Sequence, residues 1–544
     1  MDKRILDTID VALAVYYCNQ EDYERGLNDL KAILEKCGPE DKNEIERVYL
    51  QNLLKAGDFY YNNKDYLKSA QYYRKALEID DCPIIVYKNT GLCFKALEVQ
   101  DAAFSLFKKF SDTAQDRGDI DVYLGDIQYS FYKDYPKAIA YYERALTNIP
   151  ENYSVYNMLG HLYSTYYKDR YKDKQIGYFE KAYALEPKNK TVVKNLAYIY
   201  GKFHNTEKAD KLYAELLKLN PSHADLHSYG AYLVRHERFQ EGFTFLRHRF
   251  QKEDLGNIKF PDLFSDTRKE WKGQPLRNKH LLIHFEQGFG DTMMFTRFLE
   301  QVKKKCKQVT LIVQSALLNL YKDSDLGVDI YDEKYVQYLD FDYWIPMMDL
   351  PLLCKTTSKT IPGAEGYLKV PESKVQAYKD KYISKNNKLK IGIAYEGTLS
   401  SKETDRDILL SYFYPLMKLP DVEVYSFQVD DLTKQMDKVP SECEFIRLGN
   451  TFKDWEDTAC AMKCMDLVIS TDNGVMNLAG ALGIKTFGLF NTITEWRWFN
   501  LKGEDTVWYK SIKPFQCPQS GDWSIVMTEV LKELNNLIQE KKRS

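Results

Sequence analysis

The chain has 544 residues, too many for one hydrophobic core, so several domains are expected. Its 76 basic and 79 acidic residues leave a net charge of -3, which argues against a general nucleic-acid binder, because such proteins carry a basic excess. The 44% apolar content is that of an ordinary globular protein.

The N-terminus shows no secretory signal: the apolar stretch Val11–Tyr17 is short and follows Asp7 and Asp10. No apolar run approaches the length of a membrane helix. Ten scattered cysteines lack paired CxxC spacing, and Cys460 and Cys464 have no accompanying second pair or histidine cluster. A cytoplasmic protein with reduced thiols and no bound metal is therefore expected.

From residue 8 to 252 the chain repeats in a helical pattern. Small residues stand at Gly57, Gly91, Gly125, Gly160 and Ala197. An aromatic follows each within one helical turn: Tyr60, Phe94, Tyr129, Tyr163 and Tyr200. A second small residue comes at Ser69, Ala103, Ala138 and Ala209, then Ala76, Phe110, Ala145 and Leu216. Pro150, Pro187 and Pro221 close units, since proline cannot continue a helix. The order resembles the tetratricopeptide repeat and implies about seven helix pairs that must stack to bury their apolar faces. A weak first unit around Tyr23–Leu34 and a degenerate last one around Phe239–Phe250 suit capping roles. Most of the 42 tyrosines read as inter-helix packing; a peptide- or glycan-binding groove is the alternative for some of them.

Residues 253–277 lack any sustained period and read as a junction. The grammar then changes to strands separated by helices and glycine turns. Predicted strands are Leu281–Phe285, Val309–Val313 and Asp342–Ile345. The basic run Lys303-Lys304-Lys305-Cys306-Lys307 reads as a solvated helix end. After the polar segment 384–388 come Leu389–Tyr395, Val422–Phe427, Phe445–Leu448, Asp466–Ser470 and Thr486–Phe490. Apolar runs of this length imply parallel sheets covered on both faces. The fold class is thus an α-solenoid followed by α/β: 1–252 repeats, 253–277 junction, 278–387 one Rossmann-like lobe on the acceptor side, and 388–544 a second on the donor side. Ligands of such folds sit beyond the carboxyl ends of the strands.

Three loops carry candidate chemistry. Gly288-Phe289-Gly290-Asp291 follows the first strand. It lacks a third small residue, with Met293 in that place, and Gln314 stands where a dinucleotide fold wants an acid; both count against a dehydrogenase. Asp291 either caps the helix or serves as a general base. Glu396-Gly397-Thr398, followed by Lys402 and Arg406, is a glycine turn with two cations suited to a diphosphate. Asp472-Asn473-Gly474 starts a small-residue helix through Asn477, Ala479, Gly480 and Ala481. Its N–H groups suit a phosphate or a sugar hydroxyl pair.

Residues 280–525 resemble bacterial glycosyltransferases of the heptosyltransferase type fused to tetratricopeptide repeats, and more distantly the O-GlcNAc transferases. The matching segments are Glu286-Gln287-Gly288-Phe289-Gly290-Asp291-Thr292, Ile345–Pro351, Arg406-Asp407-Ile408-Leu409-Leu410, Asp472–Gly483, Trp496-Arg497-Trp498, Trp508-Tyr509 and Gly521-Asp522-Trp523. The resemblance implies a two-lobed glycosyltransferase-B fold and inverting, metal-independent transfer. No cofactor is implied beyond a nucleotide-sugar co-substrate, and the acceptor is a protein or glycan docked by the repeats. It puts the base on Asp291 and donor binding on Lys402, Arg406, Asp472, Asn473 and Gly474. There are two departures. Asn477 replaces a family histidine and cannot take a proton at neutral pH. Asp407 adds a negative charge beside Arg406. These departures motivate the alternative, an interaction scaffold whose lobes have lost catalysis.

Overall fold

The computed structural model describes residues 3–543 except 81, 252–266, 287, 398–405, 430–433, 502 and 504. It divides into two compact units, Met1–Leu196 and Ala197–Ser544. No described helix is long and apolar enough to cross a membrane.

The first unit is a tetratricopeptide-like helical solenoid. Its described hairpins pair Lys3–Asn19 with Tyr23–Lys36, Pro39–Asn62 with Tyr66–Leu77, Ile85–Ala96 with Gln100–Thr113, Gly118–Ile127 with Tyr135–Ala145, and Tyr153–Tyr166 with Lys172–Leu185. The repeat glycines are explained by close crossings. A Cβ on Gly57 would lie 2.5 Å from the Tyr73 ring, and one on Gly91 2.6 Å from Phe107. Gly125 and Gly160 meet Tyr142 and Phe179 in the same way, at 2.8 Å each. The aromatic that demands each glycine therefore sits on the second helix of its hairpin. The aromatic one turn later on the glycine's own helix packs beside the crossing instead, as Tyr60 does on Tyr72, 5.4 Å away.

Within each hairpin the turn is made by a residue in the left-handed region: Glu21, Lys64, Glu98, Lys133 and Lys168, with φ from 57° to 65°. An acid follows several of them and caps the second helix. Asp22, Asp65 and Asp134 accept from the N–H groups of Arg25, Lys68 and Lys137. Asp65→Ala is expected to cost about 1 kcal/mol, read from chemical denaturation, because an unpaired helix N–H returns to solvent.

The second unit begins with helices of the same kind, including Thr206–Leu216, His223–Arg235 and Phe239–Leu246. The last two cross backbone on backbone: a Cβ on Gly230 would lie 2.6 Å from the Leu246 nitrogen. Phe239 and Phe243 then pack against Phe499, Trp508, Phe295 and Trp496, at ring separations of 5.8 to 6.5 Å. This hairpin lies before the change of sequence grammar but shares its core with the α/β region. Its apolar face needs cover, and that core supplies it.

Two parallel sheets follow. The first contains β1 (His280–His284), β2 (Gln308–Val313), β3 (Asp329–Asp332) and β4 (Tyr343–Pro346), in the order β3-β2-β1-β4. Leu282 lies beside Thr310 on one flank and Trp344 on the other. The second contains β5 (Leu389–Ala394), β6 (Val422–Ser426), β7 (Ile446–Arg447), β8 (Leu467–Thr471), β9 (Thr486–Phe490) and β10 (Ile512–Gln516). Its order is β10-β9-β8-β5-β6-β7. That is the doubly wound order, with the chain reversing direction between β5 and β8. β5 is buried along its whole length, with apolar cores on both faces of its sheet. β3 and β10 escape the sequence reading through their composition, whereas the other two edge strands, β4 and β7, lie in apolar runs and are found. β3 alternates Asp329-Ile330-Tyr331-Asp332 and β10 contains Pro514, compositions that only an edge tolerates.

Candidate functional site at the carboxyl ends of the sheets

β1 runs through Phe285 and Glu286 into helix Phe289–Thr296. Gly288 is its N-cap and supplies no side-chain bond. Asp291 lies in the first turn but does not cap it; the carboxylate turns to Arg497, whose Nε is 2.6 Å from Oδ1. The two side chains are 17% and 15% exposed. The contact is a close ion pair between the two loops. Burial raises the Asp291 pKa, Arg497 opposes it, nearby Glu495 adds to it, and Arg406 lowers it.

The glycines of this loop differ. A Cβ on Gly288 would meet nothing within 4 Å. A Cβ on Gly290 would lie 2.9 Å from Asn477 Nδ2. Gly290 thus lets helix Phe289–Thr296 approach helix Gly474–Ala481, which starts at the end of β8. This close approach brings the ends of β1 and β8 to one place.

On the second sheet, β5 leads to Glu396 and Gly397. The Gly397 N–H donates to Asp407 Oδ1 at 2.9 Å, so the extra acid beside Arg406 is engaged in shaping the loop. Thr398 and Lys402, read as diphosphate ligands, lie outside the described residues. Arg406 reaches Asp472, with Nη1 3.5 Å from Oδ2. Burial raises the Asp472 pKa, while Arg406, the Trp498 indole and Arg497 favour its charged form.

The helix start after Asp472 is less open than the sequence suggests. Asn473 is its N-cap, and Oδ1 accepts from Val475 N–H at 2.9 Å and Met476 N–H at 3.2 Å. Those two N–H groups are satisfied by the chain itself, because Asn at an N-cap competes for them. Gly474 is small because the Trp455 ring lies against it, 2.8 Å from where a Cβ would stand. Asn477 is 6% exposed; its Nδ2 donates to Asn473 O at 3.1 Å and its Oδ1 accepts from Tyr509 OH at 3.2 Å. It forms part of the wall behind Asp472.

Arg497 and Glu495 are the members that residue-by-residue reading missed. They come from the loop after β9. The signal was present in Trp496-Arg497-Trp498, an arginine between two indoles. Its guanidinium carbon lies 4.5 Å from the Trp496 ring centre, and Nη1 is 4.0 Å from Glu495 Oε2.

The matching crevice of the first sheet, between β1 and β4, is filled by a buried ionic cluster. Arg249 donates to Glu286 through Nε at 2.7 Å and Nη2 at 3.0 Å, and to Asp349 Oδ1 at 2.7 Å. The Met348 N–H also donates to Glu286, at 3.1 Å. Side chains of the chain itself occupy that switch point. The chemistry gathers at the other, around Asp472.

A tetratricopeptide repeat profile matches residues 50–81, the hairpin of Gly57 and Tyr73. Protein FlbA of Caulobacter vibrioides (strain ATCC 19089 / CIP 103742 / CB 15) is 26% identical over 326 residues, 55% of this chain and 53% of FlbA. The match therefore spans about half the length of that curated relative. Among solved structures, a MamA crystal structure covers 30% of this chain and 93% of its own, at 20% identity and a TM-score of 0.28. The MamA 41-end from Desulfovibrio magneticus RS-1 covers 31% and 94%, at 15% identity and a TM-score of 0.28. YrrB, titled a TPR protein with an unusual peptide-binding site, covers 33% and 90%, at 19% identity and a TM-score of 0.30.

Proposed function

We propose that the chain is a glycosyltransferase moving a sugar from a nucleotide-activated donor to an acceptor held by its helical repeats. One observation carries this reading. Asp291 from the first sheet's loop pairs with Arg497 from the second and feels the charge of Arg406, itself paired with Asp472, at the carboxyl ends of parallel strands. Doubly wound folds take their ligands there. The repeats support a protein-binding role, and a protein or glycan acceptor fits it.

In this reading an acceptor hydroxyl gives its proton to the Asp291 carboxylate as its oxygen bonds to the sugar's anomeric carbon. The bond from that carbon to the diphosphate oxygen breaks, and the electron pair leaves with the nucleoside diphosphate. Arg406, with Lys402, balances the charge that develops on the leaving group, the work a metal does in other transferases. Attack opposite the leaving group inverts the anomeric centre. Asp472 and the Asn473-Gly474 turn line the donor side, with Gly397 in the neighbouring loop; Thr398 is a further donor ligand in this reading.

A second reading, an interaction scaffold without catalysis, is favoured by the occupied helix start: Asn473 takes its N–H groups, and Asn477 is bound within the wall. Turnover of a panel of nucleotide sugars separates the two. A transferase releases diphosphate from at least one donor, and Arg406→Ala lowers that rate about 10²–10³-fold. Equal rates in both proteins remove Arg406 from the mechanism. Absence of turnover together with absence of nucleoside diphosphate binding leaves the scaffold.

A further inference from the structure

We propose that Arg497 is a latch that changes partners. It holds the Asp291 carboxylate before the donor arrives, moves to the donor diphosphate on binding, and thereby frees Asp291 to act as base. The inference rests on the transferase reading.

Three observations carry it. First, Arg497 and Asp291 are joined at 2.6 Å across loops of two different sheets, both side chains mostly buried. The guanidinium opposes the rise that burial gives the Asp291 pKa, so while the pair holds the carboxylate is a weaker base than it would be alone. Second, Arg497 rests on an aromatic ring and acts electrostatically on a second acid. Its guanidinium lies over Trp496 at 4.5 Å, and its charge is felt at Asp472, the partner of Arg406. Each arginine is thus paired with one of the two acids and its charge is felt at the other. Third, a planar guanidinium matches phosphate oxygens two at a time, and a diphosphate carries more charge than one carboxylate. A diphosphate arriving at Arg406 and Asp472 is therefore placed to outcompete Asp291 for Arg497. The consequence is an order: donor first, acceptor deprotonation second.

The test is calorimetric titration of the full chain with UDP, ADP and GDP. Arg497→Gln is expected to weaken the diphosphate that binds by about tenfold or more, the worth of one charge-assisted contact. Asp291→Asn is expected to tighten it, because the competitor for the guanidinium has lost its charge. Misfolding only weakens binding, so a gain in Asp291→Asn cannot arise from damage. Arg406→Ala weakens binding under the transferase reading with or without a latch. If wild type binds, Arg406→Ala weakens, and neither Arg497→Gln nor Asp291→Asn moves as stated, the latch is overturned and the transferase reading stands. If no protein binds any of the three nucleotides, the underlying reading fails and takes the latch with it.

Discussion

Asp291→Asn is expected to lower sugar transfer about 10²–10⁴-fold, the range that a positioned general base supplies. The substitution keeps the shape of the side chain and two polar atoms, so helix Phe289–Thr296 stays in place. It removes the ability to accept a proton, together with the charge that pairs with Arg497. Thermal unfolding of the variant should fall modestly below wild type: no helix cap is lost, but the mostly buried Arg497 loses its charged partner. The pH profile gives an independent reading. Burial raises the Asp291 pKa against the opposing pull of Arg497. A base with a raised pKa is active above it and inactive below. Transfer should therefore rise with pH through a limb lying above the ordinary carboxyl range, and that limb should be missing from the residual activity of Asp291→Asn. A variant with full turnover would move the base elsewhere.

Arg249→Met is expected to be the most damaging stability change, at about 3–5 kcal/mol. Arg249 is nearly wholly buried and bonds two carboxylates that are equally buried, Glu286 and Asp349. Methionine fills most of the volume but leaves Glu286 without its cation and Asp349 with Arg247 alone, whose Nε is 3.0 Å from Oδ2. The deficit should depend on pH. Burial raises the Glu286 pKa above its ordinary value even with Arg249 opposing it. Without that opposition it rises further. A carboxyl whose folded pKa exceeds its unfolded value leaves stability intact below the unfolded pKa and lowers it as pH climbs through the folded one. The variant should thus lie nearer wild type at about pH 5 than at about pH 8, read from urea unfolding. A deficit that shrinks as pH rises would contradict the charge account.

How much of this was legible in the sequence depends on where burial acts. β1, β5, β8 and β9 are buried on both faces, so they read as continuous apolar runs. The edge strands β3 and β10 lack that cover and read as loops. The repeat glycines were visible, but their aromatic partners were not. Tyr73 and Tyr142 sit on the other helix of the hairpin, and spacing along one helix cannot reveal a crossing. The turn residues with left-handed φ, such as Lys64 and Lys133, carry no compositional mark at all. At the site, Asp291, Arg406 and Asp472 stood out because acids and cations beside glycine turns are chemically conspicuous. Arg497 did not, since no glycine stands beside it in the sequence. Asn473 stood out in the same way, and its side chain caps its helix. Asn477 replaced a residue of the resembled family and turned inward to Tyr509. The doubly wound order of the second sheet was implied only by alternation of elements; pairing of β5 with β8 is a tertiary fact.

The most direct test of the account is a crystal structure of the full chain with a bound nucleoside diphosphate. The account predicts the phosphates between the ends of β5 and β8, within hydrogen-bond reach of Arg406 and Arg497, with Asp291 parted from Arg497. Phosphates seated elsewhere on the chain, or a nucleotide bound with the Asp291–Arg497 pair unmoved and Arg406 turned away, would contradict it.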